Sequence, residues 1–139
     1  MEIIANAVQL VAANQNVYFT DTVVDGSACI THRDDSGLVS LKGLTSQCRA
    51  RYRVIFSANT AIPTGGAVAP ISVAIAIDGE AVPATTMIVT PTATAAYSNI
   101  SSAVFVDVPK GCCSTISVKN IGTDSINIEN ANLIVERVA

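Results

Sequence analysis

Ile71-Ser72-Val73-Ala74-Ile75-Ala76-Ile77-Asp78-Gly79-Glu80 is the stretch whose reading decides the fold. Ile71, Val73, Ile75 and Ile77 alternate with Ser72, Ala74 and Ala76. A period of two puts the branched set on one face of a pleated strand, where a stiff χ1 costs little. Asp78-Gly79 then supplies two residues that tolerate positive φ, as a type I′ hairpin turn requires. The stretch reads as a strand with one buried face, running into a hairpin.

Working towards the C-terminus, the return strand is broken at Pro83, which cannot donate to a ladder, and resumes over 85–90. Residues 91–96 are a small, polar connection. A long strand over 97–108 places Ile100, Val104, Val106 and Val108 inward, and Pro109-Lys110-Gly111 turns it. Residues 113–120 form another strand. Gly122-Thr123-Asp124 leads into a short one at Ile126 and Ile128, and 132–138 closes the chain. The closing strand is apolar on both faces, the pattern of a central strand covered twice.

Working towards the N-terminus, 47–58 is a long strand. Cys48, Ala50, Tyr52, Val54 and Phe56 share the core face; Arg49, Arg51 and Arg53 share the other. The first third is less regular, with short strands at 8–11, 17–24, 29–32 and 38–41 set off by Asp25-Gly26 and Asp34-Asp35-Ser36-Gly37. No heptads and no helical stripe interrupt the pattern. Roughly eight to ten short strands with regular turn signals mean an all-β, antiparallel β-sandwich or barrel. The expectation is one domain over 1–139, with 1–46 as its less regular part. With no Trp in the chain, the immunoglobulin variant loses its usual core marker.

Composition narrows the function. Half of the residues are hydrophobic but only 4% are aromatic, and 14% are charged against a usual figure of about 25%. A surface so poor in charge suits contact with identical subunits. The net charge of −3 argues against a nucleic-acid partner, which calls for clustered Lys and Arg. No run reaches the roughly 18 apolar residues of a membrane span. Met1-Glu2-Ile3-Ile4 lacks the basic start and apolar run of a secretion signal, so synthesis and retention in a cytoplasm, or release by lysis, is expected. Cys29 and Cys48 stand apart and Cys112-Cys113 are adjacent; with no C-x-x-C spacing, the four read as small buried hydrophobes, the adjacent pair also as free thiols beside a turn.

Four phrases in order carry a resemblance: 71–80; Val104-Phe105-Val106-Asp107-Val108-Pro109-Lys110-Gly111; Thr115-Ile116-Ser117-Val118-Lys119-Asn120; and Ala131-Asn132-Leu133-Ile134-Val135-Glu136-Arg137-Val138. Residues 68–139 resemble the trimeric jelly-roll heads of the tumour necrosis factor and complement-head type, closest to bacterial versions that tip collagen-like fibres. The whole chain is similar to small prophage proteins of gut Firmicutes associated with virion structure. The resemblance implies a jelly-roll topology and a homotrimer. It turns either Ile134, Glu136 and Val138, or Leu133, Val135 and Arg137, towards a threefold axis. Two departures stand out: no Gly-X-Y stalk and few core aromatics.

Among candidate sites, Arg49, Arg51 and Arg53 form the strongest constellation. Three guanidiniums about 7 Å apart on one strand face repel each other and call for partners. They suit pairing across subunits with Asp21, Asp34, Asp35 or Glu136, or docking on an acidic capsid surface. An ordinary solvated face and a nucleic-acid contact are the other readings. Cys29, His32, Asp34, Asp35 and Cys48 are the one conceivable metal set, but a single His makes a polar loop the plainer reading. Asn99-Ile100-Ser101 matches a glycosylation acceptor without a secretory context. His32 has no nucleophile elbow to complete a catalytic triad, and Gly65-Gly66 lacks the Lys of a phosphate loop.

The chain is therefore expected to be no enzyme and to carry no cofactor, metal or catalytic residue. The expected role is a virion structural protein, a trimeric capsid decoration or head fibre docking on the major capsid or another virion protein. The alternative is a carbohydrate- or receptor-binding head of a surface or tail fibre.

Overall fold

The computed structural model describes residues 1–44 and 48–139. Each alternating run forms a strand, and the described residues hold twelve: β1 (Glu2–Ala5), β2 (Gln9–Val11), β3 (Asp21–Val24), β4 (Ile30–His32), β5 (Val39–Lys42), β6 (Arg49–Ala61), β7 (Ile71–Ile77), β8 (Glu80–Ala81), β9 (Met87–Val89), β10 (Ser98–Pro109), β11 (Cys113–Asn120) and β12 (Ile126–Arg137). They make two antiparallel sheets. The first runs β10-β6-β12-β1-β3, with β2 also on β12; the second runs β4-β5-β11-β7-β8, with β9 also on β7. The chain passes between the sheets from β5 to β6 to β7 and again from β9 through β10 and β11 to β12, the arrangement of an all-β jelly-roll sandwich.

The core lies between the two inner faces. Ile3, Tyr52, Val54, Phe56, Leu133 and Val135 of the first sheet meet Val39, Leu41, Val73, Ile75, Ile116 and Val118 of the second, all dry. Few aromatics suffice because branched aliphatics fill the gap. Phe19 and Phe56 still meet edge to face, 6.4 Å apart, a favoured ring geometry. The buried Tyr52 hydroxyl donates to the Lys42 carbonyl at 2.5 Å, and burial raises its pKa.

The deciding stretch forms the expected strand and hairpin, but not with one buried face: Ala74 and Ala76 on the opposite face are buried too, and Ile77 is only half-buried. Asp78 and Gly79 have φ of 52° and 85° and join β7 to β8. Pro83 ends β8 in a short 3₁₀ turn over Pro83–Thr85. The gap this leaves along β7 is filled by a side chain. The Thr85 hydroxyl accepts the Ile75 N–H at 2.9 Å and lies 2.7 Å from the Val82 carbonyl, its acceptor.

Several expectations are corrected. The closing strands at Ile126/Ile128 and 132–138 are one strand, β12, with a register shift between Glu129 and Asn132 and Asn130 at φ 54°. The bulge switches inward parity from Ile126 and Ile128 to Ala131, Leu133 and Val135. Within one chain β12 is covered on one face only. Glu2–Ala5 is a strand on β12. Of 17–24, only Asp21–Val24 is a strand; Val17 is held by a backbone bond to Val118, Phe19 by bonds to Ser36 and from Asp35, and both side chains are fully buried. The long strand begins at Arg49 and extends to Ala61; Gln47, its expected start, lies outside the described residues, as do Thr45 and Ser46.

The cysteines are not buried. Cys48, Cys112 and Cys113 are exposed and Cys29 is half-buried. The reason is position: all four sit at the end of the sandwich where β5 meets the β10–β11 turn. Lys42 N–H donates to the Cys29 carbonyl at 2.9 Å, Gly43 N–H to Cys112 at 2.8 Å, and Lys110 N–H to Cys48 at 3.0 Å. Cys113 stands opposite Lys42. A Cβ on Gly43 would collide with the Pro109 carbonyl, so only glycine lets the two turns close.

Candidate functional site

The outer face of the first sheet gathers most of the residues that the sequence singles out. Alternation along β6 sends Ala50, Tyr52, Val54 and Phe56 into the core and Arg49, Arg51, Arg53, Ile55, Ser57 and Asn59 outward. Antiparallel register builds rows across this face. Phe105, Arg53 and Glu136 lie side by side, and so do Ala103, Ile55, Ile134 and Glu2. The next row is Ser101, Ser57, Asn132 and Ile4.

The arginine row is present, and its partners are in the same chain. Arg51 makes a bidentate contact with Asp107 at 2.8 and 3.0 Å, Arg49 approaches the same carboxylate at 3.8 Å, and Arg53 pairs with Glu136. Hydrogen bonds from Arg51, reinforced by the charges of Arg51 and Arg49, hold the Asp107 carboxyl below its ordinary pKa despite an opposing desolvation effect. Arg51 also stands 6.0 Å over the Phe105 ring. No described ion pair joins the row to Asp21, Asp34 or Asp35. With two of the three guanidiniums satisfied internally, less of the row's charge is left to seek an acidic partner.

Asp107 is the partner that sequence reading missed. Its parity, opposite to Val106 and Val108, was legible. Its position beside Arg51 follows from the β6–β10 register, which strands about fifty residues apart do not declare locally.

Of the two alternative sets on β12, Ile134 and Glu136 are on the outer face, whereas Leu133 and Val135 are buried between the sheets. Val138 lies past β12, bonded through its N–H to Arg51, and is 44% exposed.

Beyond the middle rows the face turns polar. Asn99 donates to Asn59 at 3.2 Å and Asn59 to Asn130 at 3.2 Å, a ladder of amides. The face thus has ion pairs at one end, amides and Glu129 at the other, and mostly small or aliphatic side chains between, with Glu2 on β1 accepting from Asn132 Nδ2 at 2.6 Å.

The remaining candidate set is dispersed. His32 Nε2 is 2.9 Å from the Ser36 carbonyl, its ring meets Phe19 edge-on, and its Nδ1 is buried without a partner. Among the described residues no three His, Cys, Asp or Glu side chains come together as a metal-ligand group, and no helix is long and apolar enough to cross a membrane.

No family model matches the chain, and no curated protein does. Among solved structures, the globular domain of zebrafish complement 1qA protein superposes with a TM-score of 0.65 at 11% identity, over 96% of this chain and 93% of that one. The sugar-binding EclA C-terminal domain gives 0.43 at 16% identity, over 95% and 79%. A family 35 carbohydrate binding module from Clostridium thermocellum gives 0.36 at 14%, over 92% and 98%. The first likeness shows the fold: a jelly roll with the architecture of the complement head. The other two superpose too loosely to add to it.

Proposed function

We propose that the chain is a non-catalytic recognition head that works as a homotrimer and binds a carbohydrate or a receptor. The outer face of the first sheet is the surface turned towards sister copies. One observation carries this reading. Ser57, Ser101, Ala103, Ile55, Ile134 and Ile4 form a field of small and aliphatic side chains; of the charges bordering it, Arg51 and Arg53 are paired within the chain and the Glu2 carboxylate accepts a hydrogen bond from Asn132 at 2.6 Å. The middle of such a face can lose water while Arg51, Arg53 and Glu2 around it keep their partners in the chain, which lowers the usual obstacle to burying a sheet surface. Small side chains also let two sheets approach closely. In a single chain Phe105 stays 61% exposed, and covering it removes that cost.

Light scattering tests the assembly: three times the 14.3 kDa of one chain is expected. Ile134→Lys should give a folded monomer with an unchanged β spectrum. A wild-type monomer at micromolar concentration refutes the trimer. A glycan array with reproducible hits supports the ligand class.

A second reading, capsid decoration or head fibre, draws on a different observation. Leu10, Val23 and Val24 are each more than half exposed on β2 and β3, at the far side of the first sheet, an apolar margin suited to a virion protein partner. Binding to purified capsids, abolished by Val23→Asp, would favour it over the free recognition head.

A further inference from the structure

At the end of the sandwich away from the cysteines lies a cleft of about 170 Å³. One wall is the loop after β6, with Ile62, Pro63 and Pro70; the other is the β11–β12 turn, with Asp124 and Ser125; Ile126 contributes at its base. Both walls are braced before any ligand arrives. Asn120, 1% exposed, donates to the carbonyls of Val11 and Asp124 at 3.1 and 2.9 Å and accepts the Gly122 N–H at 3.0 Å, which pins the turn. Across the cleft, Gly66 N–H closes a turn on the Pro63 carbonyl at 2.9 Å, and Ala95 N–H holds the Ile62 carbonyl at 2.9 Å. A preformed cleft spares the ordering cost of binding.

We infer that this cleft seats a single neutral sugar ring, its C–H face on Ile62, Pro63, Pro70 and Ile126 and its hydroxyls on Asp124 and Ser125. This rests on the reading of the chain as a recognition head. The chemistry selects the ligand. The cleft is well below the roughly 300–1,000 Å³ of drug-sized pockets, so it suits one ring. The Asp124 carboxylate has one weak described contact, from the Thr123 hydroxyl at 3.5 Å, and so keeps acceptor capacity for a pair of neighbouring hydroxyls. An anion is repelled, since no Lys or Arg is among the described lining residues. A wholly apolar guest would strip water from Asp124 and Ser125 with nothing in return.

The test is titration of the full chain by two-dimensional NMR with methyl glucoside, methyl galactoside and methyl mannoside, with methylamine and glucuronate as charged controls. At least one neutral glycoside should give saturable shifts confined to residues 62–71 and 120–126. Asp124→Asn should weaken that binding about tenfold or more, the loss of a charge-assisted contact, while light scattering shows an unchanged mass. Shifts confined to the cleft with methylamine alone overturn the sugar assignment, as does saturation by glucuronate alone or by none of the probes. The two readings fail separately: glycan-array hits without cleft shifts refute this site and leave the recognition head standing, whereas cleft binding by a monomer refutes only the trimer.

Discussion

Replacing Thr85 by Val isolates one hydroxyl that stands in for missing strand backbone. The two side chains have nearly the same shape, so packing is little disturbed. What changes is the Ile75 N–H, which points at Thr85 Oγ1 from 2.9 Å in a site where Thr85 is 1% exposed. The Ile75 carbonyl keeps the Val82 N–H at 2.9 Å and the Val82 carbonyl keeps the Thr85 N–H at 3.0 Å, so a single donor is orphaned. A buried unsatisfied donor costs about 1–3 kcal/mol. At an unfolding entropy near 2.1 cal/mol/K per residue, a chain this long loses about 3 °C of Tm per kcal/mol, so Thr85→Val should melt about 3–10 °C lower. Thr85→Ser keeps the hydroxyl and loses a methyl group, about 0.8 kcal/mol, and should melt above the Val variant. Calorimetry at one fixed protein concentration separates them, because assembly makes Tm concentration-dependent. Amide exchange at Ile75 should also quicken in the Val variant alone. A Val variant that melts at or above the Ser variant refutes the bridging role.

Asp107→Asn should lower stability at neutral pH, and the deficit should shrink on acidification. The folded-state pKa of Asp107 is depressed, so its contribution is complete above the unfolded value of about 3.9 and is lost as pH falls through the folded value. Melts at pH 7 and pH 3 in low salt check this; a deficit independent of pH speaks against it, and because the pair is exposed the effect should fade in high salt. Phe56→Ala should cost about 3–5 kcal/mol, since the ring is fully buried against Phe19. A Tm within about 3 °C of wild type would mean that the two sheets do not pack on this ring.

Local patterns were readable and long-range ones were not. The strand at 71–77, the Asp78-Gly79 turn and the break at Pro83 appear as read, because each is decided by a residue's own φ and its neighbours two places away; the burial of Ala74 and Ala76 on the second face was not readable, because it depends on what packs over that face. The same rule placed Arg49, Arg51 and Arg53 on one face. It could not show that Asp107 and Glu136 would stand beside them, which is a matter of register between distant strands. Parity failed where the chain breaks it: the bulge at Asn130 shifts the inward set by one, so one strand looked like two. Four residues at Glu2–Ala5 are too few for a period to show. The cysteines misled because their apolar character predicts burial only inside a strand, whereas Cys48 and Cys112 lie at turns.

Because β6 spans the sandwich from Cys48 to Ile62, the thiols and the cleft are thirteen residues of extended chain apart, about 40 Å. A maleimide-coated sensor or bead would therefore capture the molecule by one tip and leave the other tip facing the bulk solution. Immobilisation through native side chains would be oriented without any engineered tag, and ligand screens on such a surface would sample the cleft unobstructed.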